Sequence, residues 1–277
     1  MLTYLDFLIY FIFLPFLGVF LINLFESRRK KGKKQILLGI NPVVGLFILS
    51  AIALIYTTPW DNYLVATGVW FYELNQILGI IIGFVPVEEY TFFVVQPLLV
   101  GSIVIWGLNY YQPSSKQPKS GSLIRSIGFL TFFLPWILSL IIFILDFSNG
   151  TYLALIIVWF FPPILFQLGF GADILWRHRK LVLPAILIPS LYLSVVDAYA
   201  IFNGVWTIAP ATSLGILIGG VLPLEELIFF FVTDILIVFG FILLMDVHSQ
   251  ERMRSLVTFL KNVLVYRFID KEKGTVS

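Results

Sequence analysis

Cysteine is absent from the 277 residues, which excludes a disulfide framework, a thiolate metal site and a thiol nucleophile. Histidine is nearly absent. His178 and His248 are the two, both at the edges of apolar runs, and they are too few for a rich metal site. Charged residues make up only 12% of the chain. No basic stretch precedes the first apolar run and no small-residue cleavage site follows it, so residues 1–25 do not read as a signal peptide. No Gly-x-Gly-x-x-Gly follows a strand and no Walker motif is present, so nothing points to a flavin, nicotinamide or nucleotide site. The aspartates are isolated, without the clusters that hold Mg²⁺-diphosphate in prenyl transfer. The seventh apolar run contains no lysine for a retinal Schiff base. The expectation is a chain with no cofactor, no metal and no nucleic-acid partner.

What is present is apolar. Hydrophobic residues make up 59% and aromatics 17%, more than a soluble domain of this size can bury. The class is therefore integral membrane and all-α, with seven spans near 3–25, 36–56, 77–108, 123–145, 151–172, 181–200 and 213–245. The third and seventh exceed the ~20 residues needed to cross a bilayer by about ten. They must tilt, protrude, or begin with a broken or re-entrant segment before Pro86 and Pro223. All 18 Lys and Arg fall on one side of this arrangement: Arg28, Arg29, Lys30, Lys31, Lys33 and Lys34 after span one, Lys116, Lys119 and Arg125 after span three, Arg177, Arg179 and Lys180 after span five, and the rest in the tail from Arg252 to Lys273. The positive-inside rule then places the amino terminus outside and the carboxyl terminus in the cytoplasm, in the cell membrane. Asn109–Ser122, with Pro113, Ser114, Ser115, Pro118, Ser120 and Gly121, reads as a solvated linker. In the tail, Leu256, Val257, Leu260, Val263 and Leu264 share a helical face suited to the inner membrane surface.

One tetrapeptide occurs twice. Pro86-Val87-Glu88-Glu89 and Pro223-Leu224-Glu225-Glu226 lie 137 positions apart, followed by Phe92-Phe93 and Phe229-Phe230. Asp61-x-Tyr63 recurs as Asp197-x-Tyr199 and Gly68-Val69-Trp70 as Gly204-Val205-Trp206, all 136 apart, as are Tyr56 and Tyr192, and Gly79 and Gly215. Pro15 and Pro163 are a weaker echo. The pattern predicts a 3-1-3 parallel internal repeat: residues 1–110 as the first unit, 111–148 as linker and span four, 149–246 as the second unit and 247–277 as a basic tail. A shared cavity is expected where the units meet, with both Asp-x-Tyr motifs and both Glu pairs at similar depth.

Glu88, Glu89, Glu225 and Glu226 have no Lys or Arg in any span to pair with. Burial disfavours the charged form of a carboxyl, so at least one Glu per pair is expected to remain a neutral Brønsted acid. Neighbours on a helix diverge by ~100°, so one Glu of each pair can face the cavity and the other an adjacent helix or water. The nearby Pro would free a helix carbonyl to bond a protonated carboxyl. Intramembrane ionisable groups are functional by default, although such carboxyls can also merely tie helices together through Tyr, Asn or Ser. Asp61 and Asp197 are weighed evenly against solvated helix caps, and Asp234, opposite Pro97 in the repeat, is a secondary candidate. Trp70 and Trp206 are either interfacial anchors or π-faces for a developing cation.

Trp60-Asp61-Asn62-Tyr63, Ala66-Thr67-Gly68-Val69-Trp70 and Pro86-Val87-Glu88-Glu89-Tyr90-x-Phe92-Phe93 together resemble the first half of the flavin-independent lycopene cyclases, the heterodimeric and fused types of bacteria, archaea and fungi. Asp197-x-Tyr199, Phe202-Asn203-Gly204-Val205-Trp206-Thr207 and Pro223-Leu224-Glu225-Glu226-x-x-Phe229-Phe230 look like the second half, and the likeness covers nearly the whole chain. Asn62 is replaced by Ala198 in the second copy, so a role for that Asn can hold in one half only. The resemblance implies cyclisation of the ψ ends of lycopene, or a related acyclic carotenoid, to β-ionone rings without net redox change. In that chemistry an acid protonates C2, the C1 cation is attacked by the C5–C6 double bond, and a carboxylate removes a proton. The implied acid/base set is Glu88, Glu89, Glu225 and Glu226, tuned by Asp61 and Asp197. The implied substrate contacts are Tyr63, Tyr199, Trp70, Trp206, Phe92, Phe93, Phe229, Phe230 and Asn203. Expected partners are the polyene, membrane lipid and other carotenoid-pathway enzymes. A proton-coupled transporter and a carotenoid hydratase are the alternatives.

Overall fold

The structure, a computed structural model, describes residues 2–29, 40–111, 120–145 and 148–274. Lys30, Lys31, Lys33 and Lys34, the linker positions Pro113, Ser114, Ser115, Lys116, Pro118 and Lys119, and the side chains of Leu260, Val263, Leu264 and Lys273 lie outside the described residues.

Among the described residues, seven helices are long and apolar enough to cross a membrane. They are α1 (Tyr4–Arg28), α2 (Pro42–Ala66), α3 (Val87–Leu108), α4 (Gly121–Ile144), α5 (Thr151–Arg177), α6 (Arg179–Phe202) and α7 (Leu224–Met245). At ~1.5 Å per residue even the shortest, at 22 residues, spans about 33 Å, enough for a ~30 Å hydrocarbon core. An eighth helix, α8 (Val247–Gly274), follows α7 after Asp246. Local chemistry sets the starts. Thr3 and Asp6 form a reciprocal capping box at α1, and the Asn41 side chain accepts the Val43 N–H ahead of Pro42 at α2.

Two boundaries differ from the sequence reading. The second span runs to Ala66 rather than stopping near residue 56, with Pro59 inside it; membrane helices tolerate such a proline because neighbouring groups satisfy the backbone it frees. The surplus residues before Pro86 and Pro223 are not helix. They form the broken segments, as hairpins: β2 (Ile81–Ile82) with β3 (Val85–Pro86), and β5 (Leu217–Ile218) with β6 (Leu222–Pro223). Pro86 and Pro223 stand just outside the helices in extended backbone, at ψ 150° and 140°. They free no helix carbonyl; they mark where α3 and α7 begin.

The hairpins also account for the change of offset from 136 to 137. The first turn has two residues, Gly83 and Phe84, and the second has three, Gly219 to Val221. Gly83 has φ +67°, and a Cβ there would stand 2.2 Å from Asn62 Oδ1. That same oxygen accepts the Phe84 N–H at 2.8 Å, while the Asn62 amide donates to Tyr90 Oη at 3.0 Å. Asn62 is thus a clasp for the tight turn. The second copy has Ala198 and Leu227 in place of Asn62 and Tyr90, with a longer Gly219-Gly220 turn instead.

α3 and α7 are central. α3 packs on α1, α2, α6 and α7, and α7 packs on α2, α3, α5 and α6. α4 packs chiefly on α5, and its opposite stripe (Leu123, Ile127, Leu130, Leu134, Leu138, Ile141) is exposed at helical spacing, as a lipid-facing surface requires. Above the helices, β1 (Trp70–Tyr72) pairs antiparallel with β4 (Trp206–Ile208). Phe71 faces Thr207, flanked by Trp70 with Ile208 and Tyr72 with Trp206.

The opposite end of the bundle carries Arg125, Arg177, Arg179 and Arg252. Asp173 is held bidentately by Arg252, at 2.9 and 2.7 Å, and by Arg125 at 3.2 Å. Buried His178 lies 2.9 Å from Asp246 through Nε2 and 3.1 Å from the Tyr111 hydroxyl through Nδ1. Burial opposes the Asp246 charge, but the His178 contact and the Ser249 N–H outweigh it and hold this carboxyl below its ordinary value.

Candidate functional site

The two members of each Glu pair have different partners, as a ~100° divergence on a helix demands. Glu88 turns back to the loop before the hairpin and accepts the Leu78 N–H at 2.6 Å. Glu225 does the same, accepting the Leu214 N–H at 2.6 Å and the Ser213 hydroxyl at 3.0 Å. Glu89 and Glu226 point into the bundle. Glu89 accepts a hydrogen bond from Tyr72 at 3.0 Å, with Tyr4 stacked on Tyr72 and also paired to this carboxyl. Glu226 accepts one from Tyr152 at 2.6 Å.

Glu89, Glu226, Asp61 and Asp197 line one cavity of about 20 Å³, room for roughly one water. All four are buried. Trp206 Nε1 donates to Asp197 Oδ1 at 2.9 Å, and the other Asp197 oxygen has no partner. Neither oxygen of Asp61 has one. An unpartnered buried carboxyl oxygen is costly, so three around one cavity mark a place kept for something other than stability. The walls are aromatic: Trp60, Trp70, Phe92, Phe93, Phe229 and Phe230. Trp60 lies parallel to Phe229 at 5.5 Å, with its indole N–H fixed on the Leu155 carbonyl. None of the lining residues is cationic. Tyr72, in the loop above, is pushed well above the ordinary phenol range by burial and then by the Asp61 and Glu89 carboxyls, so it remains a hydrogen-bond donor.

Comparison with known proteins gives this site a context. A lycopene beta-cyclase of Halobacterium salinarum is 38% identical over 199 residues, covering 72% of this chain and 81% of that protein. The chain belongs to the lycopene cyclase family. Bifunctional lycopene cyclase/phytoene synthases of Colletotrichum graminicola and Phycomyces blakesleeanus are 34% and 32% identical over 215 and 252 residues. The matches cover 72% and 87% of this chain but only 35% and 38% of those longer fungal proteins. No protein-family profile and no solved structure matches.

The residues that carry the cyclase resemblance divide by position. Asp61, Asp197, Glu89, Glu226, Trp70, Trp206, Phe92, Phe93, Phe229 and Phe230 converge on the cavity. Trp70 and Trp206 are buried there rather than forming an interfacial belt. Five other positions do not line it. Glu88 and Glu225 hold loops, as above. Tyr63 and Tyr199, expected to touch substrate, are 47% and 45% exposed, because their place two residues after an Asp turns them to the outer side of the helix. Asn203 caps the end of α6, its amide bonded to the Tyr199 carbonyl at 2.7 Å. Asp234 lies deeper, tied to Ser190 at 2.8 Å and Gln96 at 3.1 Å, where it links α3, α6 and α7. Sequence reasoning missed Tyr4 and Trp60 as cavity groups and Tyr72 and Tyr152 as the donors to Glu89 and Glu226. Tyr4 and Tyr152 were findable: they are 148 apart, the same spacing as Pro15 and Pro163.

Proposed function

We propose that this chain cyclises the ψ ends of lycopene to β-ionone rings by proton transfer alone, an intramolecular addition and elimination of the isomerase type. The observation that carries the reading is the meeting of Asp61, Glu89, Asp197 and Glu226 in one aromatic cavity with no cationic side chain. Four carboxyls so placed share protons. A neutral member donates to C2 of the terminal double bond, and the resulting carboxylate set accepts the proton released after C5–C6 attack on the C1 cation. Trp60, Trp70 and Phe229 present π-faces to the cation between these steps. The Tyr72 and Tyr152 hydroxyls orient Glu89 and Glu226. The cavity is too small for a ψ end as it stands, so the rings must swing to admit it.

The 3-1-3 arrangement belongs to the same proposal. It is supported by the β1–β4 register, which maps onto itself when positions 136 apart are exchanged. It is supported also by paired bonds between helices: the Tyr56 hydroxyl on the Trp159 carbonyl at 2.6 Å, and the Tyr192 hydroxyl on the Phe11 carbonyl at 2.7 Å. An outside amino terminus is supported by Arg125, Arg177, Arg179 and Arg252 lying at the end of the bundle away from the cavity. The test is expression in a lycopene-accumulating host. Red pigment should turn yellow-orange, with cyclic products of unchanged mass by chromatography. Lycopene persisting beside well-expressed protein overturns the reading, and a product heavier by one water would point to hydration.

A further inference from the structure

We infer that the groove between α2, α3, α5 and α7 is the seat of the polyene, reached sideways from the bilayer, and that it presents one end of the molecule to the carboxyls at a time. This rests on the proposed cyclisation for the identity of the ligand. The groove has a volume of about 500 Å³, within the ~300–1,000 Å³ usual for ligand pockets, and is lined mainly by apolar side chains. Two rings, Phe93 and Phe229, belong to both the groove and the carboxyl cavity, so the two spaces are separated only by a septum of aromatic side chains. From Phe229 the groove follows α7 to Leu244, a rise of about 22 Å at ~1.5 Å per residue. It ends at Ser249, Gln250 and Met253 of α8.

The side opening lies between α2 and α5. Near the cavity these helices are clasped: the Tyr56 hydroxyl donates to the Trp159 carbonyl at 2.6 Å, and the Trp159 indole donates back to the Tyr56 carbonyl at 3.2 Å. Below the clasp, Ile52 and Phe166 line the groove and are 54% and 71% exposed, which turns this edge to lipid. A long narrow slot with an aromatic septum at its head fits a stiff conjugated rod. A molecule lying in it has one end against Phe229 and the other near α8, so both ends cannot meet the carboxyls together. Two rings require two separate insertions, with a monocyclic species released between them.

The chain offers two sites for plugging the groove from different helices. Ala53→Trp fills it from α2. Gly240→Leu fills it from α7, where a Cβ already approaches Leu49 and Gln167 at 3.1 and 3.2 Å. Ile55→Trp, at a 74% exposed position outside the lining, is the control. Each is combined with Glu226→Gln to arrest turnover, and purified from a lycopene-accumulating host. The visible absorbance of acyclic polyene retained per protein is then measured. The expected result is a fall of at least several-fold for both plugged proteins and none for the control. Equal retention in plugged and control proteins overturns the groove, as does phospholipid as the sole extracted ligand of the control. A plugged protein that fails to reach the membrane is replaced by the plug on the other helix. With Glu226 intact, a monocyclic product should appear before the dicyclic one and be diluted by added unlabelled monocyclic carotenoid; dicyclic product formed without that exchange overturns the one-end inference. Failure of the unplugged chain to convert lycopene, with polyene still retained in the groove, would strike the proposed reaction and leave the binding site standing.

Discussion

Asp173 and Asp61 are aspartates in membrane-spanning helices of one bundle, and they meet opposite treatment. Asp173 takes three hydrogen-bonding contacts from two arginines, with Arg252 also donating to the Phe170 carbonyl beside it. Asp61 is more deeply buried and takes none. Their neighbours differ too: Asp246 is contacted by His178 and two backbone N–H groups, whereas Glu89 and Glu226 are contacted by tyrosine hydroxyls. A carboxylate with a cation beside it is committed to its charge and serves architecture. A carboxyl kept from every cation can hold a proton and part with it, which is the property an alkene substrate needs.

The contrast can be attacked from the strongest effect to the weakest. Glu89→Gln and Glu226→Gln each remove a carboxyl from the cavity, and on the proposed chemistry cyclisation should fall by about 10²-fold or more with membrane yield unchanged. Near-normal conversion in both, measured by chromatography of extracted pigment, would erase the chemical meaning of the unpaired cluster. Glu88→Ala strips the Leu78 N–H of its acceptor and should cost roughly 1–3 kcal/mol in detergent unfolding, whereas Glu88→Gln keeps an acceptor oxygen and most of the activity. Glu88→Gln as inactive as Glu89→Gln would dissolve the division of labour within the pair. At the paired end, Asp246 is held below the ordinary ~3.9, so the stability it lends is present at neutral pH and lost as the pH falls through that lowered value. Asp246→Asn should therefore be less stable at neutrality and show a flatter acid limb in pH-dependent melting; an unchanged limb would mean the pair contributes nothing. Smallest is Asn62→Ala, which makes the first turn like the second at a cost of about 1 kcal/mol, with activity within a few-fold.

The helical class was legible because apolar runs of spanning length have few other uses, and the carboxyl cluster because carboxyls without bases recur at fixed spacing. Three features escaped for physical reasons. Thr57, Thr58 and Pro59 look like a helix end, yet the Thr58 hydroxyl bonds the Leu54 carbonyl and the helix continues to Ala66. Tyr63 and Tyr199 repeat as faithfully as the aspartates, but repetition does not say which side of a helix a residue faces when both sides are apolar. Tyr72 has Ile208 as its counterpart, so no repeat could expose it, and its contact with Glu89 exists only once β1 is folded over the bundle. The division within each Glu pair was foreseen as an angle on a helix. That the second partner would be a loop amide was not readable, because a backbone N–H leaves no mark in a sequence.

The β1–β4 pairing has a consequence for how the chain can drift over time. Asp61 and Glu89 come from the chain before α4 and Asp197 and Glu226 from the chain after it, so the cavity depends on the distance between these two stretches. Strand pairing sets that distance through peptide groups, which every residue type supplies. Phe71 and Thr207, unlike in size and polarity, face each other at its centre without shifting the register. The β1–β4 register is thus a ruler that mutation cannot easily rescale, and it leaves the side chains above the cavity free to vary while the carboxyls beneath keep their spacing.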